Sequence, residues 1–367
     1  MTRIAAFLGV VFLLGGCSGW LGSDESKPLP GKRISVMSLG NTLEADPRLS
    51  DLAVRLPRPF ANSEWAQAGG VPNHAMHHLS AKGGLEEAWT ADIGDGSSGE
   101  AQLISSPVVA GDHVYTMDVE GTIRAFDVKS GRRIWSITLA AKNKEDEDDM
   151  SGGGIAYANG RLIATTGFAE IIAVNASDGS EIWRRNLSGP MRAAPTVFKG
   201  RVFAVTIANE LYALDVRDGR ELWSHVGITE SAGLLGGASP TADGSVVIAS
   251  YSSGEIVALR TENGRVVWSD TLSALRRSDP VSTLAHIKGH PVIDRNRVIA
   301  VANSGRTVSI DLRTGTRLWE RPIGSAFGPW VAGEFIFVLS NSGELVCLAR
   351  RNGGVRWVRQ LQRFEDE

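Results

Sequence analysis

The sequence predicts an all-β fold, a β-propeller of four-stranded antiparallel blades, and three observations carry that prediction. A 14-residue unit recurs six times, as TIRAFDVKSGRRIW (122–135), EIIAVNASDGSEIW (170–183), ELYALDVRDGRELW (210–223), EIVALRTENGRVVW (255–268), RTVSIDLRTGTRLW (306–319) and ELVCLARRNGGVRW (344–357). The closing tryptophans, Trp135, Trp183, Trp223, Trp268, Trp319 and Trp357, stand 48, 40, 45, 51 and 38 residues apart. That period belongs to propellers and solenoids. Each period also divides into four short apolar runs separated by Gly, Asp and Asn turns, as in SPVVAG/HVYTMD/TIRAFD/RRIWSITL, which is the pattern of one antiparallel blade.

Residues 1–16 read as an export leader. Arg3 gives the positive start, Ile4 to Leu14 the apolar core and Gly15-Gly16 the small cleavage residues. Eleven apolar residues are too few for a spanning helix, which takes about 20. Leu14-Gly15-Gly16-Cys17 resembles the bacterial lipobox, so lipid on Cys17 is expected, with Ser18 after it favouring the outer membrane. Such an anchor holds a soluble domain at the periplasmic face of a membrane without spanning it. Residues 17–60, rich in Pro, Ser and charge, read as a flexible tether.

Residues 61–367 read as the propeller, and fixed positions in its unit have physical tasks. The glycine four before each tryptophan (Gly131, Gly179, Gly219, Gly264, Gly315, Gly353) suits a hairpin turn of positive φ. Asp127, Asn175, Asp215 and Asp311, four residues earlier, can accept backbone N–H bonds inside that turn. The position ten before tryptophan is small in every copy, from Ala125 to Cys347, and is expected to leave room for a neighbouring blade's ring. The tryptophans are thus inter-blade fasteners. Trp89, in LEEAWTADIG, reads as the fourth-strand tryptophan of a blade whose other strands are missing, so the sequence carries six full blades and one orphan N-terminal strand.

Net charge is −3 and the pI near 6.2, which offers no basic footprint for nucleic acid. With Cys17 lipidated, Cys347 has no disulfide partner, and a buried inert thiol is expected.

Ala-x-Asp-x-x-x-Gly-x-x-x-Trp, clearest at 125–135 and 213–223, is similar to the tryptophan-docking motif of the quinoprotein β-propellers. That superfamily holds the pyrroloquinoline-quinone (PQQ) alcohol dehydrogenases and the non-enzymatic lipoproteins of the outer-membrane β-barrel assembly machinery. The enzymes resemble one another in an adjacent Cys–Cys pair and in Ca²⁺ held by Glu, Asn and Asp near the axis. Neither pattern stands out in this sequence. The lipobox, the length and the segments KPLPGKRISVM and WAQAGGVPNHAMHH look like the assembly lipoproteins, in their alphaproteobacterial form. The resemblance implies an eight-bladed ring, of which this sequence would be C-terminally short, and a scaffold without catalytic residues, cofactor or metal. Its partners would be the barrel-forming subunit of the machinery and outer-membrane protein clients. The alternative is a PQQ/Ca-dependent periplasmic dehydrogenase or a ligand-binding propeller.

The connections from one blade's outer strand to the next blade's inner strand emerge on one face. Two of them, 224–237 and 271–289, are long and apolar, which suits a partner surface. By resemblance, Glu230 and Ser231 on the first and Arg276, Arg277 and Asp279 on the second are the partner-binding candidates. The acidic run 142–150 lacks the Gly and closing Glu of a calcium loop and reads as solvated. His74, His77 and His78 lack a second cluster to complete a metal site.

Overall fold

Twenty-four strands, numbered β1–β24 in chain order, form six four-stranded antiparallel sheets, and each sheet is one copy of the repeat. The blades occupy residues 108–138, 153–186, 196–226, 241–271, 292–321 and 330–360. The structure, a computed structural model, describes residues 43–49, 53–81, 83–84, 86–99, 101–139, 152–230, 233–273 and 284–362, and these contain no helix. The compact unit runs Glu44–Glu367. It therefore begins ahead of residue 61, and Asp46 donates its backbone N–H to Val355 O of the sixth blade at 2.8 Å.

Blade 3 shows how the unit folds. Its strands β9 (Thr196–Phe198), β10 (Arg201–Val205), β11 (Glu210–Asp215) and β12 (Glu221–Val226) pair in sequence order as a meander. Asp215 Oδ1 accepts the Arg217 N–H at 2.9 Å and Gly219 N–H bonds to Asp215 O at 2.8 Å, closing the outer hairpin. Gly219 takes φ +69°, which only glycine adopts freely. Trp183 of blade 2 lies on that bare glycine, and its indole N–H reaches Val216 O at 3.1 Å.

The same fastening recurs around the arc. Trp89, Trp135, Trp223, Trp268 and Trp319 donate to Val128, Ala176, Thr261, Leu312 and Arg350 at 2.8–3.1 Å, each beside the glycine of the next hairpin. Trp357 differs. It packs on Phe337 of its own blade, ring centroids 6.0 Å apart, and its N–H has no hydrogen-bond partner among the described residues.

The small position ten before tryptophan has another neighbour than the one expected. Ala213 pairs across the ladder with Trp223 of its own blade, Ala125 with Trp135 and Cys347 with Trp357, and a bulge follows at once in every blade. The glycine, and not this residue, receives the neighbour's ring. Trp89 also departs from expectation, for the residues around it form no strand even though its ring docks.

Hydrophobic clusters lie between successive blades. Ile172 packs into the cluster shared by blades 1 and 2, while Ile171 faces the one shared by blades 2 and 3. The period-two alternation of each strand thus supplies both of its neighbours. Cys347 is buried without a disulfide, and desolvation raises its thiol pKa to about 11.

Candidate functional site

The innermost strand of each blade is the edge of its sheet, so its free backbone groups face the axis. These strands are β1 (Val108–Ala110), β5 (Gly153–Ala158), β9, β13 (Thr241–Asp243), β17 (Val292–Asp294) and β21 (Trp330–Ala332). Residues 65–77 lie along them as a strap that meets the six blades in order. Trp65 exchanges both backbone bonds with Val109, and Ala66 O accepts from Tyr157 N. The Gln67 amide holds both N–H and C=O of Val197, each at 2.9 Å. Pro72 O and Asn73 O accept from Ala242 and Ile293, and His77 O accepts the Trp330 indole N–H at 2.8 Å.

The strap also folds on itself. Gly69 and Gly70 have positive φ, and a methyl on either would collide with His74 or Met76. His74 donates from Nδ1 to Pro291 O at 2.8 Å, and its ring lies 5.1 Å from that of His290. Burial, with His290 beside it, lowers the His74 pKa to about 3, and burial lowers His290 to about 4. Both rings are neutral at pH 7. No group of three or more His, Cys, Asp or Glu suited to a metal occurs among the described residues.

A four-strand meander puts the second loop of each blade and the exit to the next blade at one end. On that face a cavity of about 210 Å³ opens between blades 3 and 4. Asn209, 2 % exposed with φ +61°, ties its walls together: Oδ1 accepts from Ser252 N and Oγ at 3.1 and 3.0 Å, and Nδ2 donates to Ile228 O at 2.6 Å. His286 Nδ1 accepts the Leu234 N–H at 2.9 Å. Burial, then Lys288 and Arg192, lowers the His286 pKa to about 4. The neutral ring therefore carries its proton on Nε2. On the connection that leads to Glu230, Val226 and Ile228 remain 65 and 60 % exposed.

Glu230 lines this cavity. Ser231, Arg276, Arg277, Asp279, Cys17 and the acidic run 142–150 lie outside the described residues. The strap segment, WAQAGGVPNHAMHH, entered the sequence reading only as a point of resemblance, with no structural role, and Asn209 was not singled out.

A quinone with its calcium does not fit the residues present. The two cysteines, Cys17 and Cys347, are far from adjacent, and the inner edges are bridged by the chain's own strap.

The profile of the family described as "Outer membrane protein assembly factor BamB" matches residues 58–147 and 119–359. The chain is 33 % identical to the BamB of Escherichia coli K12 over 74 % of its own length and 69 % of that protein. It is 29 % identical to an uncharacterized protein of Rickettsia prowazekii, over 72 % of its length and 64 % of that protein. The chain thus spans about two thirds of the length of these relatives. The crystal structure of BamB from Moraxella catarrhalis superposes with a TM-score of 0.63 at 20 % identity, covering 74 % of this chain and 80 % of that one, and so shares the fold. A match running from ahead of blade 1 into the last strand of blade 6 settles the affiliation: the chain belongs to the BamB family of outer membrane protein assembly factors.

Proposed function

We propose that the chain is a non-enzymatic scaffold in outer-membrane protein assembly, anchored by lipid on Cys17 at the periplasmic face of the outer membrane. It docks on the barrel-forming subunit of the machinery through the loop face, with Glu230, Ser231, Arg276, Arg277 and Asp279 in contact, and so aids insertion of client proteins. The carrying observation is the family match across all six blades. The strap bonded along the inner edges supports the scaffold reading over a dehydrogenase, since it takes up backbone groups that an axial ligand would meet.

The test is capture of the barrel-forming subunit from detergent-solubilised membranes. Arg276→Glu with Arg277→Glu should abolish capture, because charge reversal in a desolvated interface costs a few kcal/mol. The fold should survive, as surface substitutions shift stability by about 0.5 kcal/mol or less. Capture at wild-type yield by the double variant rules out the second loop as the contact.

A further inference from the structure

The cavity between blades 3 and 4 is a built polar site with unused hydrogen-bonding capacity. Ser250, 5 % exposed, lines it with a hydroxyl that has no partner. Arg192 lines it as well, and no ion pair or hydrogen bond engages its guanidinium among the described residues. Lys288 extends along the Gly236 wall, its Cε 3.1 Å from where a Cβ on Gly236 would stand, and among the described residues it has no ion pair or hydrogen bond. The His286 Nε2–H adds a neutral donor. Glu230 supplies one carboxylate against these two cations.

The donors select the ligand class and the volume selects its size. A lining arginine, hydroxyl and imidazole, with Lys288 behind the Gly236 wall, suit an acceptor carrying negative charge. At about 210 Å³ the cavity falls below the roughly 300–1,000 Å³ of small-molecule and cofactor sites. It has room for a side chain or two. Ile207, Val205 and Leu234 form apolar walls that suit the methylenes of such a side chain. The connection that carries Glu230 also exposes Val226 and Ile228, which offer apolar surface to the same segment.

We propose that this cavity receives a glutamate or aspartate side chain from an extended segment of the protein docked on the loop face. The inference rests on the partner-docking function proposed above and names the chemistry of the contact. Asn209 fixes the loops of blades 3 and 4 and the connection between them, so the site is formed before the partner arrives. Preorganisation of this kind strengthens binding by lowering the ordering cost.

The test uses the full chain with ¹⁵N-labelled serine and leucine, and two capped pentapeptides, Ala-Glu-Ala-Asp-Ala and its amide counterpart Ala-Gln-Ala-Asn-Ala. The Ser252 and Leu234 amide signals should move with the acidic peptide and at least ten-fold less with the amide one. Arg192→Glu with Lys288→Glu should abolish the shifts, and so should Ile207→Glu, which sets a competing carboxylate on the exposed wall. Equal shifts with both peptides, or none up to about 10 mM, overturn the proposal. The Arg192→Glu, Lys288→Glu variant should also reduce capture of the barrel-forming subunit at least ten-fold. Capture by that variant at wild-type yield overturns the proposal and leaves the docking function standing. Loss of capture in the Arg276→Glu, Arg277→Glu variant tests that function alone.

Discussion

Replacing Gly219 by alanine isolates the contribution of tryptophan docking. A Cβ at Gly219 would stand 2.5 Å from Trp183 Cε3, on a backbone held at φ +69°. Gly200, in the inner hairpin of the same blade, has φ +74° and nothing within 4 Å of its absent Cβ. Both substitutions incur the left-handed backbone cost of about 1–2 kcal/mol. Only Gly219→Ala also displaces a buried ring, an overpacking cost of about 1–3 kcal/mol. It further weakens the Trp183–Val216 hydrogen bond, worth about 1 kcal/mol. The two variants should therefore differ by about 2–4 kcal/mol. With m about 2 kcal/mol/M, the urea midpoint of Gly219→Ala lies about 1–2 M below that of Gly200→Ala. In a Trp183→Ala background the difference should vanish. Midpoints that coincide in the wild-type background would refute the docking account.

Three further outcomes follow from the same geometry. Gln67→Ala leaves the Val197 N–H and C=O buried and unpaired, and should lower stability by about 2–4 kcal/mol in a urea titration. His74, His286 and His290 have folded pKa values of about 3, 4 and 4 against 6.5 when unfolded, so each takes up a proton on unfolding. Stability should fall as pH drops from 6.5 towards 4, by up to about 1.4 kcal/mol per pH unit for each ring, read as melting temperature against pH. Labelled palmitate should enter the wild-type protein and not Cys17→Ser, which should be released to the periplasm; equal labelling of both ends the lipid-anchor proposal.

The blades were legible because each unit repeats its own turn chemistry. Asp215, Gly219 and Trp223 act within a dozen residues of one another, and six copies reinforce the reading. Which small residue meets which ring was not legible. Ala213 and Gly219 are both small, and only the ladder register shows that the alanine faces its own tryptophan while the glycine faces Trp183. At Trp89 the motif signalled the docking and not a strand, for its ring docks while the residues around it form no ladder. The strap, WAQAGGVPNHAMHH, was legible as a point of resemblance and not as a structural element. Its contacts reach residues such as Val197 and Trp330, 130 and 253 positions away, and each uses a backbone group on one side, which carries no sequence pattern. The cavity is assembled in the same way, from Arg192, Asn209, Ser250 and His286 on separate elements, and no spacing in the sequence joins them.

The most direct test of the scaffold claim is the rate of outer-membrane protein insertion into liposomes that carry the assembly machinery without its own propeller factor. Adding the lipidated protein should raise the rate. The Arg276→Glu, Arg277→Glu variant should leave it unchanged at an unaltered melting temperature, and quinone with Ca²⁺ should have no effect. A rate indifferent to the wild-type protein, together with quinone-dependent alcohol oxidation by it, would contradict the account.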